Sequence, residues 1–393
     1  MALIGRDIIC FSTHYWDERW FRKQEFMSRF SRANRVLFVE PSFSSVRAPE
    51  EFLRGIATNR HLRPRIEQRA ENIHLLKPPR GLPGWSNPRI ERASYRWFGR
   101  VVAQTAGALG FRDPILWVYR PAFAHAVDVI SHDRLVFDLV DDLAAYGGDD
   151  DTRAAHVEQL VQGLVRRSDL LVVTAKTLAQ RYGPQARAVE HVANGFDASR
   201  FSSERDIETP EAIAEVPRPL LGFIGTLFPF LDFDLLEAVA RFHSDKSLVL
   251  VGPVEASAAM EVERLVALPN VFHVGRQPQS EMPAYVAAFD VCLNPFRRSR
   301  VSDSVNPLKV YEYLAGGRPV VSTPMEALRL EDAGRMVAFA EGSAAFCDEI
   351  QSCLTPEVQA QSQARRAAAA PYSWERLFER LDAACDRVLT RPT

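Results

Sequence analysis

The chain has 393 residues, of which 47% are hydrophobic and 25% charged, and its 48 basic residues nearly balance its 50 acidic ones. This length exceeds one ordinary hydrophobic core and predicts two α/β domains, and no run of about 18 uncharged apolar residues could span a bilayer. The apolar run near the N-terminus is too short for a signal peptide, and five scattered cysteines without CxxC spacing indicate a reducing compartment, so we expect a cytoplasmic protein.

The charge is unevenly distributed, since residues 1–110 contain 19 Lys and Arg against 10 Asp and Glu. Residues 20–32 mix cations with aromatic rings, and the same mixture returns in Trp85, Arg89, Arg92, Arg96, Trp97 and Arg100. Such faces attract anionic head groups, which predicts peripheral association with the cytoplasmic face of the inner membrane. The alternative is that Phe26 and Phe30 cover a sheet while the arginines are solvated. Nucleic-acid binding is disfavoured because no recognised module accompanies the charge.

The first half of the chain alternates predicted strands and helices. A strand at 7–12, a helix at 20–30 and a strand at 35–41 form a β-α-β unit, and a basic, Pro-rich segment follows from Phe43 to Pro88. A helix at 88–109 and strands at 114–119, 135–140, 170–174 and 189–192 continue the pattern, with a helix at 152–166.

The second half repeats this alternation after a polar, Pro/Glu-rich stretch. We predict strands at 220–224, 248–251, 271–274, 291–294 and 320–323, and helices at 232–242, 256–268 and 281–289. Right-handed crossovers turn such a series into a parallel sheet with helices on both faces. The predicted domains are therefore 1–195, a linker at 196–218, a second domain at 219–372 and a C-terminal helix at 373–393 that packs back towards the first domain.

The stretch from Ser304 to Pro324 is the most informative part of the sequence. It predicts a loop, a short helix that carries Glu312 among apolar neighbours, a Gly316-Gly317 helix stop and a strand. Amides at a helix N-terminus bind phosphate, and a carboxylate about one turn further along can accept hydrogen bonds from two sugar hydroxyls. This pattern predicts a nucleotide-sugar site.

Several short motifs occur in a fixed order in the second half: Asn-Gly-Phe-Asp at 194–197, Gly-Phe-Ile-Gly at 222–225, Val-Gly-Arg at 274–276, Asp-Val-Cys-Leu-Asn-Pro-Phe at 290–296, Pro-Leu-Lys-Val-Tyr-Glu-Tyr-Leu-Ala at 307–315 and Tyr-Ser-Trp at 372–374. Together they resemble the C-terminal half of GT-B glycosyltransferases, in particular those like family 4. The resemblance covers about residues 190–390, and the first half shares only the strand-helix rhythm. It implies an α/β fold of two Rossmann-like, doubly wound domains that face a cleft, the first for the acceptor and the second for a nucleotide diphosphate sugar.

The resemblance also implies a set of donor-binding residues. Glu312 would accept from the ribose hydroxyls, and the backbone at Asn306, Leu308 and Lys309 would meet the diphosphate. Gly225 and Thr226 follow the first strand of the domain, and Arg276 and Gln277 occupy the loop that meets the nucleobase.

Two positions depart from the family pattern. Ser304 stands where the first carboxylate of the family's Glu-x7-Glu motif is expected, with Asp303 beside it, so the contact to the donor sugar is altered. Thr226 and Asp232 stand where relatives carry an Arg and a Lys that neutralise the leaving diphosphate. Because that charge must come from elsewhere, we predict Lys309 as the stabilising cation, with the loop arginines 276, 297, 298 and 300 as alternatives.

Candidate catalytic residues on the acceptor side, Asp141, Asp142 and His14, lie at the predicted strand ends of the first half. Asp141 and Asp142 follow one strand and could face the acceptor hydroxyl, although Asp142 could equally cap the next segment. Asp138, inside that strand, needs a hydrogen-bond partner or a nearby cation if it is buried. His14 follows the first strand and could bind a sugar, or it could be a structural residue.

The function predicted is transfer of a hexosyl group from a nucleotide diphosphate donor to a glycan or lipid-linked acceptor, as in bacterial surface polysaccharide or glycolipid synthesis. The family resemblance implies retention of anomeric configuration. We expect no metal, because no Asp-x-Asp is flanked by apolar strand residues. The alternatives are a GT-B-fold nucleotide-sugar epimerase and a catalytically inactive homologue that binds nucleotide sugar.

Overall fold

The computed structural model describes residues 3–18, 20–41, 64–78, 87–147, 151–201 and 207–390. Trp85 and most of the Pro-rich segment lie outside these ranges. The chain divides into two compact units, of which the first contains Met1–Thr174, Leu178–Val192 and Phe378–Thr393 and the second contains Ala175–Thr177 and Ala193–Leu377. The predicted linker thus groups with the second unit, where Ile213 is buried in the core. The domain bounds given above remain a proposal.

The first unit is built around an eight-stranded sheet. Its strands are Asp7–Phe11 (β1), Arg35–Val39 (β2), Arg65–Ala70 (β3), Ile73–Lys77 (β4), Ile115–Val118 (β5), Arg134–Leu139 (β6), Leu170–Val173 (β7) and Val189–His191 (β8). The order is β3-β4-β2-β1-β5-β6-β7-β8, in which β3 runs antiparallel to β4 and the other pairs are parallel. The helices in this half of the chain are Arg22–Phe30 (α1), Pro88–Ala108 (α2), Ala124–Val127 (α3), Asp151–Arg167 (α4) and Lys176–Tyr182 (α5).

The second unit contains a six-stranded parallel sheet. Its strands are Leu220–Ile224 (β9), Ser247–Val251 (β10), Val271–Gly275 (β11), Val291–Asn294 (β12), Val320–Ser322 (β13) and Val337–Phe339 (β14), in the order β11-β10-β9-β12-β13-β14. The helices in this half are Ala198–Phe201 (α6), Phe233–Phe242 (α7), Ala259–Val266 (α8), Met282–Ala288 (α9), Leu308–Ala315 (α10), Glu326–Arg329 (α11), Ser343–Cys353 (α12), Pro356–Gln359 (α13), Ser362–Ala369 (α14) and Trp374–Leu389 (α15). The division between the units falls inside α15.

Both sheets reverse their strand order once, and this decides where ligands can bind. In the first unit the reversal lies between β1 and β5, and in the second it lies between β9 and β12. Crossovers leave such a point in opposite directions, which opens a crevice beyond the carboxyl ends of the two strands. The predicted α/β class with two doubly wound sheets is confirmed. Each unit therefore offers a ligand position beyond one pair of strand ends.

The short helix after the loop at 304–307 is also confirmed. Helix α10 ends at Ala315, and Gly317 follows with φ of +77°, a left-handed conformation that glycine adopts without steric cost. The Arg318 backbone N–H then donates to the Tyr313 carbonyl at 3.0 Å. This turn feeds the chain directly into β13.

The predicted membrane-facing surface is corrected for α1. Arg22 and Lys23 are 3% and 4% exposed, and Phe26 and Phe30 are fully buried, because this helix covers the sheet. On α2 the mixture is exposed, since Ile90 and Trp97 are 47% and 44% exposed beside Arg89, Arg92 and Arg100. Within the described ranges, no helix combines the length and the hydropathy that crossing a bilayer requires.

Candidate active site

The loop that follows β9 lies at the strand-order reversal of the second sheet. Its first residue, Gly225, has φ of +145°, and its N–H donates to the Val251 carbonyl at 2.9 Å. A Cβ at this position would lie 3.0 Å from the Lys309 Nζ atom. The glycine therefore permits the loop to pass close to the lysine. Thr226 follows and is half-buried.

Lys309 projects from the first turn of α10 between two aromatic rings. Its Nζ lies 4.1 Å from the centroid of Phe223 and 5.0 Å from that of Phe296. Phe223 belongs to β9 and Phe296 follows β12, the two strands at which the order reverses. Burial lowers the pKa of Lys309 to about 7, although the nearby Glu312 carboxylate opposes this shift. The ammonium is therefore held by ring faces at the ligand position.

Helix α10 presents its N-terminus to the same place. It starts at Leu308 with Pro307 as its N-cap, and a proline side chain has no acceptor for the first amides. The hydroxyl of Tyr313 accepts a hydrogen bond from the Ile224 N–H at 2.8 Å, which fixes the helix against the end of β9. The Leu308 and Lys309 amides thus belong to an anchored helix of eight residues, suited to an anion.

Glu312 lies three residues after Lys309 on this helix, so the two side chains share one face. It is half-buried, and burial raises its pKa to about 7, with Arg200 and Lys309 acting in the opposite direction. A carboxylate near a cation and the amide end of a helix can bind a vicinal diol while the other two groups bind phosphate. The predicted role of Glu312 towards a ribose stays a prediction.

The loop before α10 is held by a network of amides and tyrosines. Asn306 accepts from the Asn194 N–H at 3.2 Å through its side-chain oxygen and donates to the Tyr311 hydroxyl at 2.9 Å. Tyr311 stacks on Tyr372 with the centroids 4.3 Å apart. The side chain of Asn306 is therefore occupied in holding this loop, which places the start of the helix.

The side chains of Ser304 and its neighbour Asp303, in the same loop, both form hydrogen bonds to the backbone. The Ser304 hydroxyl donates to the Val301 carbonyl at 2.8 Å, and the residue is 6% exposed. Asp303 accepts from the Glu326 N–H at 3.4 Å, at the start of α11. A role of Ser304 towards the donor sugar stays a prediction.

The loop after β11 contains the residues predicted to meet a nucleobase. Arg276 is exposed, and Gln277 donates through its side-chain amide to the Val274 carbonyl at 3.2 Å. Of the alternative cations, Arg298 forms an ion pair with Glu341 at 2.6 Å. Asp232 caps α7 by accepting from the Leu235 N–H at 3.0 Å. Lys309 lies against the aromatic rings at the strand ends.

In the first unit, His14 lies in the loop beyond β1, next to the strand-order reversal. Its N–H donates to the Ser12 hydroxyl at 3.1 Å, and its ring packs against Phe21 with centroids 5.0 Å apart. Lys23 Nζ lies 3.3 Å from the His14 Nδ1 atom and 4.9 Å from the ring centroid of Tyr119, which follows β5. The sequence prediction did not include Lys23, because lysines are rarely buried.

Asp141 and Asp142 follow β6 and have different surroundings. Asp142 is buried and forms an ion pair with Arg181 at 2.6 Å, which marks a structural role. Burial raises the pKa of Asp141 to about 7, Lys23 opposes that shift and Asp142 adds to it. Asp141 therefore resembles a functional carboxylate more than Asp142 does.

Asp138, within β6, has the cationic partner that its position requires. Its two carboxylate oxygens each lie 3.1 Å from the Arg22 Nε, and Asp138 is fully buried. Arg22 also donates to the Val192 carbonyl at 2.8 Å. The expectation of a paired Asp138 is confirmed.

In the described part of the chain, no three His, Cys, Asp or Glu residues cluster as metal ligands.

Residues 218–356 match the family model described as "Glycosyl transferases group 1". A curated relative is TuaH of Bacillus subtilis (strain 168), whose name assigns it provisionally to glycosyl transfer in teichuronic acid biosynthesis. It is 25% identical over 280 residues, which cover 68% of this chain and 70% of TuaH. Residues 218–356 are thus similar to the group 1 glycosyltransferases, and the two doubly wound sheets are those of the GT-B fold.

Solved structures share the fold of this chain over nearly its whole length. Sucrose-phosphate synthase from Thermosynechococcus elongatus superposes with a TM-score of 0.72 at 14% identity, over 97% of this chain and 98% of that one. Anabaena Alr3699/HepE in complex with UDP and glucose gives a TM-score of 0.66 at 13% identity, over 98% and 100% of the two chains. At such identities the likeness shows the fold.

Proposed function

We propose that this glycosyltransferase moves a hexosyl group from a nucleotide diphosphate donor, held by the second unit, to a glycan or lipid-linked acceptor, held by the first. The observation that carries the proposal is the convergence of Lys309, Gly225 and the first amides of α10 beyond the ends of β9 and β12. The anionic part of a nucleotide sugar is its diphosphate. A cation, a loop residue without a side chain and helix amides without a side-chain cap are groups that can bind it.

Glu312 gives this site its second specificity element. Its carboxylate lies on the face of α10 that carries Lys309, where it can accept from both hydroxyls of a ribose. The solved complex of Alr3699/HepE with UDP and glucose shows that a protein of this fold binds a uridine diphosphate. A uridine diphosphate sugar is therefore the first donor to test.

Lys309 supplies the charge that the loop after β9 lacks. When the glycosidic bond breaks, the leaving diphosphate gains negative charge, and a fixed cation lowers that barrier. Thr226 carries no charge, yet Lys309 Nζ reaches within 3.0 Å of where a Cβ of Gly225 would be. Helix α10 would therefore supply, next to Gly225, the cation that the loop after β9 lacks. The proposal needs no bound metal.

The acceptor is proposed to be part of a surface polysaccharide or glycolipid under assembly. The name of TuaH points to such a polymer, and helix α2 exposes Trp97 and Ile90 beside several arginines. Such a face suits an anionic bilayer surface, where a lipid-linked acceptor would reside. Retention of anomeric configuration, which the family resemblance implies, is proposed with it.

The test incubates the full chain with a panel of nucleotide diphosphate sugars and lipid-linked or free glycan acceptors, and follows free nucleotide diphosphate and the anomeric configuration of the product. Acceptor-dependent release with a new glycosidic bond supports transfer, and EDTA should not change its rate. Epimerised nucleotide sugar without release would indicate an epimerase instead. Tight donor binding without turnover across the panel would indicate an inactive homologue.

The membrane part of the proposal has its own test. The wild-type chain should sediment with vesicles that contain phosphatidylglycerol. The triple variant with Trp97→Ala, Arg89→Ser and Arg100→Ser should be retained by the vesicles to a smaller extent. The control variant is Phe242→Ala, which removes a side chain that is 65% exposed in the second unit. Equal retention of the triple variant and the control would disprove the role of α2.

A further inference from the structure

The buried contact between Lys23 and His14 has a chemical consequence that neither residue has alone. Lys23 is 4% exposed, and its Nζ lies 3.3 Å from the His14 Nδ1 atom. A lysine ammonium has three donors and no acceptor. The nitrogen that faces it must therefore offer a lone pair, which leaves the ring hydrogen on Nε2.

The second neighbour of this nitrogen does not by itself choose a tautomer. The Thr13 hydroxyl oxygen lies 2.9 Å from His14 Nδ1, and a hydroxyl can either donate or accept. The backbone of the loop is fixed separately, since the Ser12 hydroxyl donates to the His14 carbonyl at 2.7 Å. Lys23, whose ammonium can only donate, therefore favours one of the two neutral forms of the ring, whereas Thr13 is compatible with both.

The surroundings of Lys23 keep it charged near neutral pH. Burial lowers the pKa of Lys23 to about 8, while Asp138, Asp141 and the Cys10 thiol oppose the shift and Arg22 adds to it. The Tyr119 ring lies on another side of the ammonium. A protonated His14 would place a second cation 3.3 Å from the first, which Coulomb repulsion disfavours.

We propose that Lys23 is a positioning residue that holds His14 as the neutral tautomer with its hydrogen on Nε2, so that His14 donates a hydrogen bond to a substrate oxygen. In this form Nε2 has no lone pair, and His14 cannot act there as a general base. This refines our expectation of a catalytic His14. The use of the donor in transfer rests on the proposed function, whereas the tautomer does not.

The tautomer can be measured on the full chain without any substrate. With ¹⁵N-labelled histidine, long-range ¹H–¹⁵N spectra distinguish protonated from unprotonated ring nitrogens, and the spectrum of His14→Gln assigns the His14 signals among the nine histidines. At pH 7 we expect an unprotonated Nδ1 and a protonated Nε2. A protonated Nδ1 in the wild-type chain, in either the neutral or the cationic ring, would overturn the proposal.

Three variants separate Lys23 from Thr13 as the cause. Lys23→Met should give a mixture of tautomers, while Lys23→Arg, which retains a cationic donor, and Thr13→Val should both keep the hydrogen on Nε2. The wild-type chain provides a test without substitution, because raising the pH through about 8 deprotonates Lys23 and should release the same mixture. A tautomer that is unchanged by both Lys23→Met and high pH would show that Lys23 does not select it.

Turnover then tests what His14 does. The side-chain amide of His14→Gln can replace an Nε2–H donor, whereas His14→Leu cannot. We expect His14→Gln to release nucleotide at least about tenfold faster than His14→Leu, the effect of about one hydrogen bond. Equal loss in both variants would exclude the donor role. A wild-type chain that shows the expected tautomer but no acceptor-dependent release would instead contradict the proposed function.

Discussion

The Tyr313 hydroxyl accepts a hydrogen bond from the Ile224 N–H at 2.8 Å, so the residue that precedes Gly225 is tied to the helix that carries Lys309 and Glu312. Tyr313 is fully buried and Ile224 is 7% exposed, so water does not compete for this bond. The strand end and the helix therefore keep a fixed separation. A donor bound to both would meet groups that are already in place.

Replacing Tyr313 by Phe removes this acceptor. We expect the free energy of unfolding to fall by about 1–3 kcal/mol, because a buried N–H loses its partner, and donor affinity to fall as well. Urea unfolding and calorimetric titration with a uridine diphosphate sugar measure the two effects. The control is Tyr285→Phe, which removes a buried tyrosine hydroxyl from α9. Lower stability with unchanged donor affinity would show that this hydrogen bond does not contribute to donor binding.

The pH dependence of donor affinity should be bell-shaped. In the proposed function Glu312 would bind the ribose as a carboxylate, above its pKa of about 7, and Lys309 would bind phosphate as an ammonium, below its pKa of about 7. Affinity should therefore be highest near pH 7 and fall on both sides. Glu312→Gln should weaken binding and remove the acidic limb, and Lys309→Met should remove the alkaline limb. A flat profile between pH 5 and 9 in the wild-type chain would contradict both assignments.

Lys309→Ala separates ground-state from transition-state binding. If the ammonium stabilises the leaving diphosphate, the turnover number should fall more than donor affinity does. Steady-state kinetics with saturating acceptor, together with direct titration of the donor, measure the two quantities. An equal loss in both would make Lys309 a ground-state contact.

Glu312→Gln should stabilise the protein without donor at alkaline pH. Because the folded-state pKa of Glu312 is raised from 4.5 to about 7, the folded chain binds more protons than the unfolded chain between these values. Stability from this group is thus lost as the pH rises from 4.5 to 7, and Gln avoids the loss, by about 1–3 kcal/mol at pH 8. Thermal unfolding at pH 5 and pH 8 should show a gain only at pH 8. The exposed Glu357→Gln should show no gain at either pH.

Gly225→Ala should damage the donor site more than the fold. The alanine would sit at φ of +145° with its Cβ 3.0 Å from Lys309 Nζ, so the loop or the lysine must move. We expect at least about tenfold weaker donor binding, equivalent to about 1.4 kcal/mol. Gly163→Ala in α4 is the matched control, since its Cβ meets no atom within 4 Å and a helix favours alanine. Unchanged donor affinity in Gly225→Ala would exclude a donor in this loop.

Most elements could be predicted from the sequence because apolar runs and their spacing mark buried strands and amphipathic helices. Strand β9 lies at its predicted bounds, and α10 ends before Gly316 as expected. The antiparallel pair of β3 and β4 was missed inside the Pro-rich segment, since β3 is exposed along its whole length and has no apolar alternation. Strand β14 was missed as well.

The donor-side candidates depended on motifs in the sequence, and the partners that hold them could only come from the structure. Nothing in the local sequence indicates that Phe223 and Phe296 enclose Lys309, because the three residues are far apart in the chain. Lys23 was missed because its helix was interpreted as an exposed basic surface. In the structure, contacts with His14 and Tyr119 bury the side chain.

The position of Lys309 affects how homologues of this chain should be sorted. A filter that demands Arg or Lys at the positions of Thr226 and Asp232 would discard such sequences as dead enzymes. A better criterion would accept a lysine two residues after the N-cap proline of α10, provided that aromatic residues occupy positions 223 and 296. Applied to genomes, this rule would separate sequences that carry the cation on α10 from those that carry it at neither place.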